Sequence, residues 1–398
     1  MIDPEVILRI AAKGDGVTGH GRHVPQSAPG DRLLADGTLQ RGPHHVAAPC
    51  RHFGKCGACQ LQHCDDQVLA QFVHDRVLHA AQGQGLEPQL VTPPAMSPPR
   101  SRRRASLRAI NGGGRPLIGF AEAGSHKVVD MRECHVLLPE LVAVVDALRG
   151  YLARVKGRYS IGIELTRVDQ GVDLGLSGFT SEGLDQTESL LDFCRDHALA
   201  RLTLDHGYGA ESFWEPEPVT MTLGGVPVSF PSGAFLQATG HGEAALAGAA
   251  REWLAGSTRV ADLFAGLGTF ALSLAGQTQV LAAEADMAAI GALRMAANRA
   301  RLPVEALHRD LFRNPLRASE MAGLDGVVLD PPRAGARSQV EQVAASGVGK
   351  VVYISCNPSS WARDAVMLKD AGYQLAELRP VGQFRWSTHV ELASLFVK

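Results

Sequence analysis

The chain of 398 residues lacks the features that would place it by inspection. No run approaches the roughly 20 apolar residues a membrane helix needs, so no membrane association is expected. Met1 leads into Ile2-Asp3-Pro4-Glu5, with neither a basic opening nor a long apolar stretch, so no secretory signal is expected. Seven cysteines at this length do not form the disulfide framework of a small secreted domain. Together these point to a cytoplasmic, reduced protein, with no obligate protein partner evident. The net charge of −2 excludes a globally basic nucleic-acid binder, so any such partner must meet a local patch. The length accommodates two or three domains.

What is present starts with a small β unit. Val6–Ile10 reads as a strand, Gly14, Gly16, Gly19 and Gly21 punctuate turns, and Pro29-Gly30-Asp31 is a further turn. Cys50, Cys56 and Cys59 then stand in a C-x5-C-x2-C pattern, with Gly57-Ala58 allowing the backbone to wrap closely. Three thiols in ten residues suit a soft metal centre, and a fourth ligand is needed. Cys64 and His63 are near, and Cys134 is distant. Spacing alone leaves zinc and iron–sulfur equally open.

Gln67–Ala81 has helical periodicity. Pro93, Pro94, Pro98 and Pro99 read as a linker. Arg100, Arg102, Arg103, Arg104 and Arg108 form the strongest basic run, suited to phosphate. Arg104–Ile110 and Pro116–Phe120, joined through Gly112-Gly113-Gly114, predict a hairpin. Leu137–Val155 predicts an amphipathic helix, and Ile161–Val168 with Val172–Leu176 a second strand pair. The region reads as an α+β domain on an antiparallel sheet.

From Val260 the pattern alternates strand and helix, as in an α/β fold with a parallel sheet. Asp262-Leu263-Phe264-Ala265-Gly266-Leu267-Gly268-Thr269 places glycines at a strand-to-helix turn. Glu284 ends the next strand, placed to accept from both hydroxyls of a ribose. The third glycine of the dinucleotide fingerprint is missing, which favours a nucleoside-type cofactor. A third strand ends at Asp310, which could meet an adenine edge. A fourth, Gly326–Leu329, ends in Asp330-Pro331-Pro332-Arg333. The fifth is the apolar run Val351–Ile354, halted by Pro358 so that Cys356 falls where strand becomes loop. In an open α/β sheet that edge is where ligands bind. Glu391 precedes the last apolar run.

These segments, with Ser355-Cys356-Asn357-Pro358 and His389-Val390-Glu391, occur in an order that resembles the RNA 5-methyluridine methyltransferases. The resemblance implies a seven-stranded, Rossmann-like S-adenosylmethionine (SAM)-dependent methyltransferase sheet. It implies Gln237, Phe264, Thr269, Glu284, Asp310 and Asp330 around SAM, with Cys356 as nucleophile, Glu391 as base and Asp330 against the uracil. It also implies the iron–sulfur branch, with a [4Fe-4S] cluster on Cys50, Cys56, Cys59 and Cys134, and 23S ribosomal RNA as the partner. The expected division is residues 1–49 as a shortened TRAM-like β segment, 50–230 as a central domain with the cluster and an RNA-binding surface, and 231–398 as the methyltransferase domain. A transfer RNA enzyme of the same chemistry is one alternative, a cytosine-5 methyltransferase a second, and an iron–sulfur RNA-binding protein without activity a third.

Overall fold

The computed structural model describes residues 4–398. The chain forms two compact units, each drawn from separate stretches. One comprises Met1–Phe72, Pro98–Val219 and Phe384–Thr388. The other comprises Val73–Ser97, Thr220–Gln383 and His389–Lys398.

In the first unit the N-terminal residues form a five-stranded antiparallel sheet in the order His23–Val24, Gly16–Thr18, Glu5–Ile10, Arg32–Leu33, Leu39–Gln40. The expected turn at Pro29-Gly30-Asp31 is present, with Gly30 at φ 87°. Asp31 locks it from inside, accepting from the backbone N–H of Ala28 (2.8 Å) and of Gly42 (2.7 Å) while His45 Nδ1 lies 2.7 Å away.

A six-stranded sheet follows, ordered Ala210–Trp214, Leu199–Asp205, Gly171–Ser177, Tyr159–Val168, Arg104–Asn111, Leu117–Gly119. The expected hairpin and strand pair are both antiparallel neighbours within it. The helix Pro139–Leu152 places Leu141, Val145, Leu148 and Leu152 in the core with Ile163, Leu165 and Leu174. The expected antiparallel sheet has one exception. Gly171–Ser177 and Leu199–Asp205 run parallel, because the helix Gly183–Asp196 carries the chain back across. Arg201 and Asp173 pair across this junction through two hydrogen bonds (2.9 and 2.7 Å).

The second unit is built on a sheet ordered Val304–His308, Gln279–Glu284, Arg259–Leu263, Gly326–Leu329, Lys350–Ser355, Glu391–Val397, Gln374–Gly382. The first five strands are mutually parallel, and Glu391–Val397 runs antiparallel to both its neighbours. The fifth strand is central and apolar, with Val351, Val352, Tyr353 and Ile354 all buried. Two short strands, Leu90–Val91 and Ala95–Met96, add in parallel to Gln374–Gly382. The prolines there predict a linker. Pro93 and Pro94 instead interrupt an edge strand, where a missing N–H costs no ladder bond, whereas Pro98 stands where the chain passes from one unit to the other. The chain leaves Arg259–Leu263 in one direction for two strands and returns on its other side at Gly326–Leu329. That reversal opens a crevice at the carboxyl ends of the strands.

Candidate active site

Three strand ends converge at this crevice. Leu329 and Tyr353 are register partners, so Asp330 and Cys356 leave the sheet on the same edge. Leu392 pairs with Ser355 and Glu391 with Val381, which brings Glu391 to that edge from the opposite direction. The loops are tied together. Asn357 caps the helix Pro358–Asp370, accepting from Ser359 N–H (3.2 Å), while its Nδ2 donates to Arg333 O (3.0 Å). Ser360 Oγ donates to the same carbonyl (2.9 Å).

Cys356 is half-buried. Burial pushes its thiol above the ordinary 9.0, the charge of Glu391 adds to this, and Asp330 does so only when ionised. The Arg333 guanidinium acts in the other direction by its charge and by hydrogen bonding. Arg333 is anchored in turn, with Nη2 2.8 Å from His389 Nδ1. Burial, then Glu391 and Asp262, hold the Asp330 carboxyl well above the carboxylate range. Gln237 Nε2 donates to Asp330 Oδ2 (3.2 Å), and Gln383 Nε2 donates to Gln237 Oε1 (2.9 Å). A carboxyl that receives an amide N–H on one oxygen and retains its own proton on the other can donate a hydrogen bond into the crevice. Glu391 is only 4% exposed.

The glycine turn lies along the same edge. Gly266 and Gly268 have φ of 54° and 91°, and Phe264 adopts a positive φ of 65° although it has a side chain. Phe264 and Ala265 N–H both donate to Ala283 O. Phe264 packs against Phe312 with ring centroids 5.3 Å apart, and Phe312 is half-exposed. Glu284 accepts from Gly266 N–H (2.9 Å) through one oxygen and from Ala285 and Asp286 N–H (2.7 and 2.8 Å) through the other. Asp310 stands two residues beyond its strand and accepts from Phe312 and Arg313 N–H. Thr269 opens the helix Thr269–Leu274. Asp262 is fully buried. Its Oδ2 accepts from Ala271 N–H (2.8 Å), and its Oδ1 has no protein partner. Burial, with Glu284 nearby, pushes its carboxyl up to about 7.

Sequence reasoning gave no role to Arg333, His389, Gln383, Asp262 or Phe312. Arg333 and Asp262 lie inside recognised motifs and were within reach. Gln383 and Phe312 carry no local signal.

In the first unit, Cys50, Cys56, Cys59 and Cys134 line one cavity with Phe53, Phe120, Val129 and Met131. Cys64 and His63 are buried elsewhere and do not line it. All seven cysteines are free thiols. Among the described residues, no group of three or more His, Cys, Asp or Glu side chains is arranged to hold a metal ion. Of the basic run, Arg100 is exposed, whereas Arg102 donates to Arg104 O (2.9 Å) and stacks over Phe384 at 5.5 Å. Arg102 is therefore not a free phosphate contact.

Residues 229–398 match the family model of the tRNA (uracil-5-)-methyltransferases. An uncharacterized RNA methyltransferase of Zymomonas mobilis subsp. mobilis is 45% identical over 393 residues, covering 98% of this chain and 99% of the relative. The 23S rRNA (uracil(1939)-C(5))-methyltransferase of Pseudomonas fluorescens is 33% identical, covering 95% of this chain and 84% of that one. The chain belongs to the RNA uracil-5-methyltransferase family. The fold agrees. The tRNA (uracil-54, C5)-methyltransferase of Pyrococcus abyssi, solved with S-adenosyl-L-homocysteine, superposes with a TM-score of 0.77 over 99% of this chain and all of that one, at 23% identity. This RNA methyltransferase therefore has the mixed α/β architecture of its family. No helix among its described residues is long and apolar enough to cross a membrane.

Proposed function

We propose that this enzyme methylates carbon 5 of a uridine in 23S ribosomal RNA, through a covalent Cys356 adduct. The observation that carries the reading is the convergence of Cys356, Asp330 and Glu391 on one sheet edge, with Arg333 against the thiol. The likeness to the Pseudomonas ribosomal enzyme, over 95% of this chain and 84% of that one, favours ribosomal over transfer RNA.

Carbon 5 of uracil is a weak nucleophile. The Cys356 thiolate adds to carbon 6, forming a carbon–sulfur bond and moving the ring double-bond electrons toward the carbon 4 oxygen. Arg333 stabilises the thiolate before attack. Asp330, holding its proton, donates to a ring oxygen that gains negative charge on addition. S-adenosylmethionine, when bound, supplies the electrophilic methyl group that carbon 5 takes. Glu391 then removes the carbon 5 proton; the electron pair re-forms the double bond and expels the Cys356 thiolate. A uridine inside folded RNA must be extruded to reach these groups.

The residues along the glycine turn fit SAM. Glu284 retains one lone pair, on Oε2, for a ribose hydroxyl, Gly266 has open space where a side chain would stand, and Asp262 Oδ1 is a buried acceptor without a protein partner. Gln237, Phe264, Thr269, Asp310 and Asp330 complete the set.

Cys50, Cys56, Cys59 and Cys134 line one cavity, and four convergent thiols are the ligand set that a [4Fe-4S] cluster takes. Bound there it would tie residues 50–59 to Cys134, a structural role in a redox-neutral reaction. Arg100 and Arg108 are the exposed arginines of the basic run and would contact phosphates.

The test is incubation of purified protein and SAM with unmodified ribosomal RNA and transfer RNA in parallel, then mapping of 5-methyluridine by nuclease digestion and mass spectrometry. Product at one ribosomal uridine, absent with Cys356→Ala, is expected. Product on transfer RNA alone moves the substrate. Product on neither overturns the reading. Anaerobically purified protein should carry about four irons per chain, lost in Cys134→Ser; iron removal that leaves fold and RNA binding intact overturns the structural role.

A further inference from the structure

The connection between the strands Gln374–Gly382 and Glu391–Val397 has an unusual division. Its tip, Phe384–Thr388, belongs to the cysteine-bearing unit, while Gln383 before it and His389 after it belong to the methyltransferase unit. Residues of the cysteine loop hold the tip. Gln60, next to Cys59, and Leu61 both donate backbone N–H bonds to Trp386 O (2.8 and 2.9 Å). Gln60 Oε1 accepts from Thr388 N–H (3.3 Å), and Gln60 Nε2 donates to Gly57 O (2.7 Å), next to Cys56. Arg385 pairs with Asp66, and Phe384 lies under Arg102. Trp386 is buried and sits at φ 62°, a conformation a bulky residue keeps only where its surroundings over-determine it.

The two ends of the same connection lead into the reaction site. Gln383 orients Gln237, which bonds Asp330. His389 contacts Arg333, and Glu391 opens the returning strand. We infer that Phe384–Thr388 is a positioning strap through which the cysteine loop sets the placement of Glu391 and Gln383. The inference rests on the uridine methylation reading. Its consequence is selective. Of the residues that fit SAM, only Gln237 and Asp330 connect to the strap, while the glycine turn and Glu284 are remote from it in sequence, so loosening it impairs proton removal far more than cofactor affinity. Glu391 acts after carbon 5 has gained its methyl group, so a misplaced Glu391 leaves Cys356 joined to the RNA.

The experiment compares the full-length wild type with Gln60→Ala, which removes the side-chain bonds to Thr388 and Gly57, and with Gln60→Glu, which keeps an acceptor for Thr388. Turnover, SAM affinity by calorimetry, iron content and the fraction of enzyme trapped on RNA as a denaturant-stable adduct are measured. In Gln60→Ala, turnover should fall ~10- to 100-fold, the scale of a misplaced catalytic group. The trapped fraction should rise, with SAM affinity within about twofold of wild type. Gln60→Glu should recover part of the loss. Should Gln60→Ala lose iron or fold poorly, Asp66→Asn, which touches only the exposed partner of Arg385, carries the same comparison. Wild-type turnover and adduct release in both variants overturn the strap alone. So does a turnover loss matched by lost SAM affinity with no trapped adduct. Wild-type enzyme that makes no 5-methyluridine overturns the underlying reading as well.

Discussion

Replacing Arg333 with glutamine should slow the reaction most at neutral pH and least at alkaline pH. The thiol of Cys356 lies above its ordinary 9.0 because burial and then Glu391 disfavour the thiolate, and Arg333 is the group that opposes them. Below that value the thiolate fraction rises with pH, so the wild-type rate should climb from neutral pH upward. A hydrogen bond to a charged group contributes about 1.5–3 kcal/mol. Losing it lowers the rate of thiolate addition ~10- to 150-fold where the thiol is mostly protonated. In Arg333→Gln the rising limb should move to higher pH, so the gap from wild type narrows as pH increases. Arg333→Lys keeps the charge but not the planar fork that reaches His389 Nδ1, and should fall between the two. The assay is single-turnover methylation at saturating RNA and SAM across pH about 6.5 to 10, spanning the neutral-to-alkaline range of thiol ionisation. A constant ratio of wild-type to variant rate at every pH would refute the reasoning. It would place Arg333 in RNA binding instead, a role that would appear as weakened RNA affinity.

Further outcomes follow from the same geometry. Glu391→Gln should cut turnover ~10²- to 10⁴-fold, the usual worth of a general base, while a denaturant-stable RNA adduct accumulates. Cys356→Ala should form none, and electrophoresis under denaturing conditions separates the two. Gly268→Ala should weaken SAM binding measured by calorimetry. Its Cβ would stand 2.4 Å from Leu293 Cδ1, and φ of 91° strains any side chain. Adding Leu293→Ala removes the clash but not the ~1–2 kcal/mol backbone cost, so rescue should be partial. Asp262→Asn should remove a pH dependence of stability. Between about 3.8 and about 7 the unfolded chain has released a proton that folded Asp262 still holds, so wild-type stability declines as pH rises through that window, by at most about 4 kcal/mol. Denaturant midpoints at pH about 5 and about 8 should differ less in the variant; equal declines in both would assign the dependence to other groups.

The methyltransferase sheet was legible because its strands are short apolar runs ended by breakers. Val351–Ile354 stops at Ser355-Cys356-Asn357-Pro358, and Gly326–Leu329 stops at Asp330-Pro331. A parallel strand buried on both faces has no other use for such a run, and its end falls at the ligand edge. The helix Gly183–Asp196 was not legible: it has no side-chain cap, and its buried residues Leu190, Phe193 and Cys194 all lie in its second half, while the one large apolar residue of its first half, Leu184, is exposed. Without that helix, the parallel pairing it produces could not be foreseen. The edge strands at 90–96 were hidden by prolines that a central strand would not tolerate.

At the reaction site the boundary between legible and illegible follows physics. Cys356, Asp330 and Glu391 are placed by strand ends, which are local features of sequence. Their ionisation is not local. The Asp330 carboxyl is shifted toward its protonated form by desolvation and by Glu391 and Asp262, more than 60 residues away in either direction, and it receives the amide of Gln237. Three carboxyls gathered in one buried region cannot all be charged. A site that must place a donor against one atom of uracil and an acceptor against another gains from that restriction, since a carboxyl group can then fill either role. In the proposed mechanism Asp330 as donor and Glu391 as base form one arrangement, and the Asp330→Asn variant, an amide that donates at any pH, should retain more activity than Asp330→Ala, which can neither donate nor receive the bond from Gln237.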